Sequence, residues 1–292
     1  MGQGTDKRVA LVLEGGGLRG MFTAGVLDVF LEQGYRDFSH IYGVSAGAIN
    51  GSNFKAGQAG RFCRDTLASR DNPEFMSLRS FARTGNVTGR KFLYEKMNKR
   101  LDPFDCAAFN ANPVPFTVVA SDLTFGTAAY LDVDELPAQM DAVMASSSLP
   151  CLSEVVLYEG RRLLDGGTCD SVPVEKALAD GADQLVVVLT QHRGYRKSSA
   201  YSLMGVARRL YSDHPYYLEA LESRGARYNR QLDHVFELEA QGVAHVLAPS
   251  APVELSLLEE DGSKLLELYV DGRRMATALL QQLGWEGNPH LH

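Results

Sequence analysis

The most reactive arrangement in this sequence is a serine set between glycines. Residues 43–47 read GVSAG, after a predicted strand at 40–44 and before a helix rich in small residues. Small neighbours, here Gly43 and Gly47, let the backbone turn sharply enough to lift the Ser45 hydroxyl clear of a sheet and onto the N-terminus of the next helix. The pattern predicts a nucleophile elbow, in which Ser45 attacks a carbonyl carbon.

A second glycine cluster lies upstream, where a predicted strand at 9–14 leads into EGGGLRG at 14–20. Glycines at such a junction leave backbone N–H groups uncovered, and the dipole of the next helix adds positive charge, so this loop is predicted to bind an anion. Gly15, Gly17 and Gly20 also satisfy the dinucleotide fingerprint G-x-G-x-x-G. That interpretation needs a carboxylate after the next strand, and the next strand ends at Ser45 instead.

A candidate base follows at Asp165, where two leucines lead into Asp165, Gly166 and Gly167. An isolated Asp-Gly commonly marks a turn. Here, however, a nucleophile, an anion site and a carboxylate occur in separate strand-end loops, where open α/β sheets build their sites. A serine needs a base within hydrogen-bond reach, and Asp165 can serve if desolvation or placement raises its proton affinity.

In this order, the blocks at 14–20, 43–47 and 165–167 resemble the three signature blocks of the patatin-like phospholipases, and ASSSLP at 145–150 resembles another landmark. The resemblance implies hydrolysis of lipid acyl esters by a dyad of Ser45 and Asp165, with no metal or organic cofactor. The family's first block often begins with aspartate, whereas Glu14 stands here. The resemblance also implies an oxyanion hole built from Gly15, Gly16, Gly17, Arg19 and Gly20.

Three questions stay open from the residues alone. A Ser-Asp-His triad would have the same chain order, with His192 as its histidine, although an elbow on the second predicted strand comes early for that fold. A regulatory lipid- or anion-binding protein could keep the fold and the anion pocket without turnover. Arg19 either faces a substrate phosphate or is a solvated arginine in the first helical turn.

These residues need a scaffold, and the hydrophobic pattern predicts one. Apolar segments with helices between most of them predict an α/β fold, a mostly parallel central sheet flanked by helices. The strands are expected at 9–14, 40–44, 116–121, 127–132, 155–158 and 185–190. We expect a patatin-like catalytic domain at 7–195 and a mainly helical C-terminal extension at 196–292 that packs on the same core.

Two further segments are predicted in outline. The C-terminal extension is expected to contain helices at 201–211, 216–232 and 264–283 and a strand at 244–249. The basic segment 79–100 interleaves lysine and arginine with apolar residues and predicts a pair of amphipathic helices. Their basic face is either solvated or part of a lid over the site.

Composition bounds the partners. The 292 residues are 45% hydrophobic, enough for one large core, and no run of about 18 apolar residues is present. The net charge of -7 argues against nucleic acid and against electrostatic attachment to anionic lipid. The four cysteines lack C-x-x-C spacing, which argues against a zinc site. We expect a cytoplasmic protein that acts on a lipid or acyl ester. It is either free or in transient contact with the inner membrane face. The sequence does not determine its oligomeric state.

Overall fold

Eight strands form one mixed sheet in the part of the chain that a computed structural model describes, residues 7–198 and 201–285. The strands are β1 (Val9–Leu13), β2 (His40–Val44), β3 (Phe116–Asp122), β4 (Thr127–Asp132), β5 (Val156–Tyr158), β6 (Arg161–Asp165), β7 (Gln184–Val188) and β8 (Ala244–Leu247). Their order is β5-β6-β3-β2-β1-β7-β8, with β4 also paired to β3. The pairings among β3, β2, β1, β7 and β8 are parallel, and those of β4, β5 and β6 are antiparallel. The mostly parallel α/β sheet predicted from the sequence is confirmed.

Both faces of the central strands are covered, and β1 and all of β7 after Gln184 are apolar. In β1, Leu11 and Leu13 enter the core on one face of the sheet, and Ala10 and Val12 enter the core on the other. β7 alternates in the same way. Strands buried on both faces read as continuous hydrophobic runs, which explains why these two segments are clear in the sequence.

Helices cover both faces of the sheet. One face carries α1 (Gly20–Glu32), α2 (Ala46–Lys55), α3 (Arg61–Ser69), a π-helix (Lys91–Leu101), α5 (Cys106–Ala111), α6 (Met140–Ser146) and α10 (Gly262–Gln282). The opposite face carries α7 (Val174–Ala179) and α9 (Pro215–Ala240). The remaining α-helices are α4 (Leu78–Thr84) and α8 (Met204–Leu210), and two short 3-10 helices lie at Gly17–Arg19 and Gly166–Thr168. Among the described residues, no helix combines the length and apolar character needed to cross a bilayer.

The C-terminal part is mainly helical and packs on both faces. On one face, α10 lies along α1, where Tyr269 donates a hydrogen bond of 2.8 Å to Asp28 and Arg273 forms a 2.6 Å ion pair with Glu32. On the other, α9 buries Tyr228 and other apolar residues against the sheet, and β8 extends the sheet beside β7. The boundary expected at 195 stays a prediction.

Local structure departs from the sequence analysis in two places. β6 is absent from the predicted strands because it starts with two arginines and contributes only Leu163 and Leu164 to the core. Arg161 is accommodated there by a 3.0 Å ion pair with Asp122 on β3. The segment 79–100 forms α4 and most of a π-helix rather than two regular α-helices.

Candidate active site

The chain makes a strained turn where β2 meets α2. Ser45 has φ 54 and ψ -120, a region that residues other than glycine rarely occupy, and α2 begins at the next residue. A Cβ atom on Gly47 would lie 2.4 Å from the carbonyl oxygen of Leu13, and one on Gly43 would lie 2.7 Å from Cα of Ala48. Glycine at both positions therefore lets the turn pack against β1 and against its own helix. The result is the backbone shape of a nucleophile elbow.

Asp165 reaches this turn through the register of β3. Val44, the last residue of parallel β2, pairs with Val119, whereas Asp165, the last residue of antiparallel β6, pairs with Ala120. The other edge of β3 is taken by β4, so β2 and β6 share one edge and run toward each other. Their C-terminal ends meet there, which brings Ser45 and Asp165 together.

The surroundings of the Asp165 carboxyl raise its proton affinity. Its Oδ1 accepts a 2.8 Å hydrogen bond from the Gly167 amide, and its Oδ2 is buried with no hydrogen bond of normal geometry. Burial raises the pKa of Asp165, and its interactions with the Ser45 hydroxyl and the Gly167 amide oppose that shift. A carboxylate with one free oxygen and a raised pKa beside a serine has the properties of a general base.

The block at 145–150 holds both groups in place. Ser146 Oγ accepts a 2.8 Å hydrogen bond from the Ser45 amide and donates one of 2.6 Å to the Val119 carbonyl. The Ser148 carbonyl accepts a 2.8 Å hydrogen bond from the Asp165 amide. One short segment therefore positions the backbones of Ser45 and Asp165 relative to β3.

The glycine loop forms the wall of a cavity that also contains Ser45. Gly15, Gly16, Gly17 and Arg19 line it together with Asp165 and Gly167. Within the described residues, the amides of Gly16 and Gly17 donate no hydrogen bond, so they are available to an anion.

Two predicted glycines of the site have packing contacts instead of lining the cavity. The Gly20 amide donates to the carbonyls of Gly17 and Leu18, and Gly20 starts α1. A Cβ on Gly166 would lie 2.1 Å from the Val119 carbonyl oxygen, so Gly166 packs directly on β3.

Glu14, where the first block departs from the common aspartate, ties the loop to the rest of the fold. Its carboxylate accepts hydrogen bonds from the Thr190 amide at 2.5 Å and from the Tyr228 hydroxyl at 2.7 Å. Burial and the neighbouring Glu14 raise the pKa of Tyr228 far above its usual range. The loop is thus anchored both to the end of β7 and to α9.

Three cations that the sequence analysis does not identify also line the cavity: Lys197, Arg224 and Arg61, of which Arg61 is paired with Asp65. Arg224 on α9 donates through Nε to the Gly167 carbonyl at 2.8 Å. The Asn229 side chain holds Lys197 by accepting from its amide at 2.8 Å and donating to its carbonyl at 3.1 Å. In a sequence, a basic residue on a long amphipathic helix is indistinguishable from one on its solvated face. The one local signal for Arg224 is its i,i+4 spacing from Tyr228, which places both on the same face of the helix.

The remaining walls are largely apolar, and they include residues of the basic segment 79–100. They come from α3, α6, the π-helix and the loops beside them, and include Phe62, Phe75, Leu93, Met97, Leu136 and Met140. Among the described residues, no histidine lines the cavity. His192 lies in the loop after β7, where its Nδ1 accepts from the Gly194 amide at 3.2 Å.

Two family models match parts of this chain. A family model described as patatin-like phospholipase matches residues 11–178, and a domain of unknown function, DUF6363, matches residues 214–285. The uncharacterized protein YjjU of Escherichia coli K12 is 34% identical over 187 residues, covering 63% of this chain and 52% of its own. The uncharacterized NTE family protein Mb1092c of Mycobacterium bovis is 31% identical over 186 residues, covering 63% and 49%.

The chain therefore spans about half the length of the curated relatives it matches. Among solved structures, VipD from Legionella pneumophila superposes with a TM-score of 0.48 at 14% identity, covering 95% of this chain and 67% of VipD. The phospholipase model matches more than half of the chain, from β1 through α7. The chain belongs to the patatin-like phospholipase family.

Proposed function

We propose that this protein cleaves carboxylic ester bonds of lipids, in the manner of a phospholipase A or lysophospholipase, through a Ser45–Asp165 dyad. The observation that carries the proposal is the meeting of β2 and β6 on one edge of β3, which sets Ser45 beside the buried Asp165 carboxyl. Both residues open into a cavity with a glycine loop and an apolar wall.

In this mechanism, Asp165 Oδ2 takes the proton of the Ser45 hydroxyl as its Oγ attacks the ester carbonyl. The negative charge that develops on the carbonyl oxygen is held by the amides of Gly16 and Gly17 and by the N-terminus of α2. Loss of one such donor commonly costs about 2.7–4 kcal/mol of barrier. Collapse of the tetrahedral intermediate expels the alcohol, which takes the proton from Asp165.

The second half of the reaction regenerates the serine. Asp165 removes a proton from water, the hydroxide attacks the Ser45 acyl ester, and collapse of this intermediate releases the fatty acid and returns the proton to Ser45. Apolar side chains such as Phe62, Leu93 and Met97 suit the acyl chain because they line the same cavity. The position of His192, outside the cavity lining, supports a dyad over a triad.

A fluorophosphonate probe tests the proposal, because it labels an activated serine and ignores a merely exposed one. We expect stoichiometric labelling of the wild-type protein, none of Ser45→Ala, and normal labelling of Ser212→Ala, which removes an exposed serine. Hydrolysis of p-nitrophenyl butyrate should follow the same order. An unlabelled wild-type protein that is folded would contradict the proposal and favour a binding protein without turnover.

A further inference from the structure

Four cations line the candidate active site. Arg61 is paired with Asp65 and Asp102, and the other three come from distant parts of the chain. Arg19 belongs to the glycine loop, Lys197 follows β7, and Arg224 lies on α9. Within residues 7–198 and 201–285, none of the three forms an ion pair. Within the described residues, the cavity thus presents three cationic side chains that have no direct ionic partner.

Their polar atoms are also poorly satisfied in the described structure. Arg19 Nε is buried and has no hydrogen-bond partner, and Arg224 makes a single hydrogen bond, through Nε to the Gly167 carbonyl. Lys197 Nζ lies 3.8 Å from the centroid of the Tyr228 ring. All three side chains are half-buried. Cations partly removed from water without a direct anionic partner are unfavourable, so a negatively charged ligand would stabilise this arrangement.

The two carboxylates nearest the cluster are already engaged. Glu14 accepts hydrogen bonds from Thr190 and Tyr228, and Asp165 accepts one from Gly167. The remaining oxygen of Asp165 is the one that we assign to proton transfer. Both carboxylates act on the cations through charge but form no ion pair with them, and two acids beside three cations leave positive charge for a ligand.

The cluster lies close to the reacting groups. A Cβ atom on Gly167 would be 3.0 Å from Asp165 Oδ1 and 3.6 Å from Arg224 Nη2. The guanidinium of Arg224 and the proposed base thus flank the same point of the chain. An anion held by Arg224 and Lys197 would lie beside the ester that Ser45 attacks.

We infer that Lys197 and Arg224, with Arg19, form a binding site for the phosphate of the substrate headgroup and select lipid esters of net negative charge. The inference rests on the proposed hydrolase function. Arginine binds phosphate oxygens in pairs through its planar fork, and lysine adds a point charge. A zwitterionic headgroup would bring its own cation to the same cluster, which disfavours it.

A second role for these cations predicts a different result. Burial dominates the raised pKa of Asp165, and the charges of Arg224 and Lys197 oppose it. If their function were only to tune Asp165, their removal would slow the hydrolysis of charged and uncharged esters by the same factor. The ratio of kcat/KM between two esters separates the two roles.

The kinetic test uses dihexanoyl phosphatidylglycerol, dihexanoyl phosphatidylcholine and dihexanoylglycerol below their critical micelle concentrations, so that no lipid surface contributes. We expect the anionic lipid to have the highest kcat/KM. The ratio of its kcat/KM to that of dihexanoylglycerol should fall roughly tenfold or more in Arg224→Met and Lys197→Met, because a charge-assisted hydrogen bond contributes about that factor. Lys197→Arg should recover most of the ratio.

Arg230→Met is the matched control. It removes one exposed positive charge from the same helix, so its ratio should equal that of the wild type. Parallel losses on all three lipids in the cluster variants would overturn the inference, as would an unchanged ratio. An unchanged ratio with weaker inhibition by hexanoate would assign the cluster to the fatty-acid product instead.

Binding to an inactive variant separates this inference from the proposed function. Isothermal titration of Ser45→Ala with dihexanoyl phosphatidylglycerol should show binding that Ser45→Ala/Arg224→Met loses and Ser45→Ala/Arg230→Met keeps. A wild-type protein that labels with fluorophosphonate but does not discriminate between the lipids refutes the headgroup site alone. A protein that binds the anionic lipid through Arg224 without labelling refutes the hydrolase alone.

Discussion

Ser45 follows β2 and Asp165 ends β6, and these two strands approach each other along the same edge of β3. Val44 pairs with Val119 and Asp165 with the next residue, Ala120. The separation of the proposed nucleophile and base is therefore set by backbone hydrogen bonds of the sheet rather than by flexible side chains. Sites built on regular elements hold their geometry more tightly than sites on loops.

The helix α9, in the C-terminal part of the chain, supports the site from outside the region that matches the phospholipase model. Along its length, Arg224 contacts Gly167, Tyr228 contacts Glu14, and Asn229 holds the backbone of Lys197. Arg224, Tyr228 and Asn229 all lie in the segment 214–285, which matches the domain of unknown function. We therefore propose that this segment completes the active site in addition to covering the sheet.

The dyad makes a kinetic prediction. Asp165→Asn should reduce hydrolysis of p-nitrophenyl butyrate as completely as Ser45→Ala, because an amide cannot accept the serine proton. His192→Ala should retain most of the activity, since His192 does not line the cavity. The measurement is kcat/KM for each purified variant, with circular dichroism to show that it is folded. Substantial turnover by Asp165→Asn, or its loss in His192→Ala, would contradict the dyad.

The elbow makes a prediction about stability. Gly47→Ala should lower the free energy of unfolding by about 1–3 kcal/mol, because the added methyl group would lie 2.4 Å from the Leu13 carbonyl oxygen. Gly205→Ala is the control, since a Cβ there meets nothing within 4 Å and the residue lies in a helix. Urea titration measures both. The expected order fails if the two substitutions have equal effects.

The anchor of the glycine loop can be tested at Tyr228. Tyr228→Phe removes the hydrogen bond to the buried Glu14 carboxylate, and a hydrogen bond to a charged group contributes about 1.5–3 kcal/mol. We expect a loss of stability of that order together with slower ester hydrolysis, because the loop that holds Gly16 is released. Tyr216→Phe, an exposed position on the same helix, should change neither. Unaltered stability in Tyr228→Phe would show that Glu14 does not depend on α9.

Much of the site could be predicted from sequence, and the missing parts share one physical cause. Ser45, Asp165 and the glycine loop are local patterns, since each depends on glycines at a strand end. Lys197 and Arg224 reach the site only because α9 docks across the ends of β1 and β6, and no short pattern encodes that contact.

The strand β6 illustrates the same limit. It starts with two arginines, so its sequence does not indicate a strand. Its pairing with β3 is long-range, and Arg161 is accommodated by its ion pair with Asp122. The sequence predicts both final helices, although α9 continues to Ala240, beyond the predicted end at 232. Periodicity reveals that a helix exists, but its length depends on the surface it covers.

The headgroup site predicts a specific pH dependence. Burial is the main cause that lowers the pKa of Lys197 to about 7, well below the pKa of an ordinary lysine. Its ammonium is therefore charged below about pH 7 and neutral above it, so the preference for anionic over uncharged esters should be largest near pH 6 and decline toward about pH 8. The charged and aromatic groups that face Lys197 are Arg224, Glu14, Arg19, Asp165 and the ring of Tyr228.

Proton transfer by Asp165 is common to both esters and cancels in the ratio of their kcat/KM values. The charge of Asp165 also acts on Lys197, so variants of Lys197 identify the group that is observed. Lys197→Arg keeps its charge across this range and should flatten the profile at a high ratio, whereas Lys197→Met should flatten it at a low one. The measurement is the ratio for dihexanoyl phosphatidylglycerol and dihexanoylglycerol at half-unit steps of pH. A wild-type ratio that is constant with pH, or a decline that persists in Lys197→Arg, would remove Lys197 from headgroup binding.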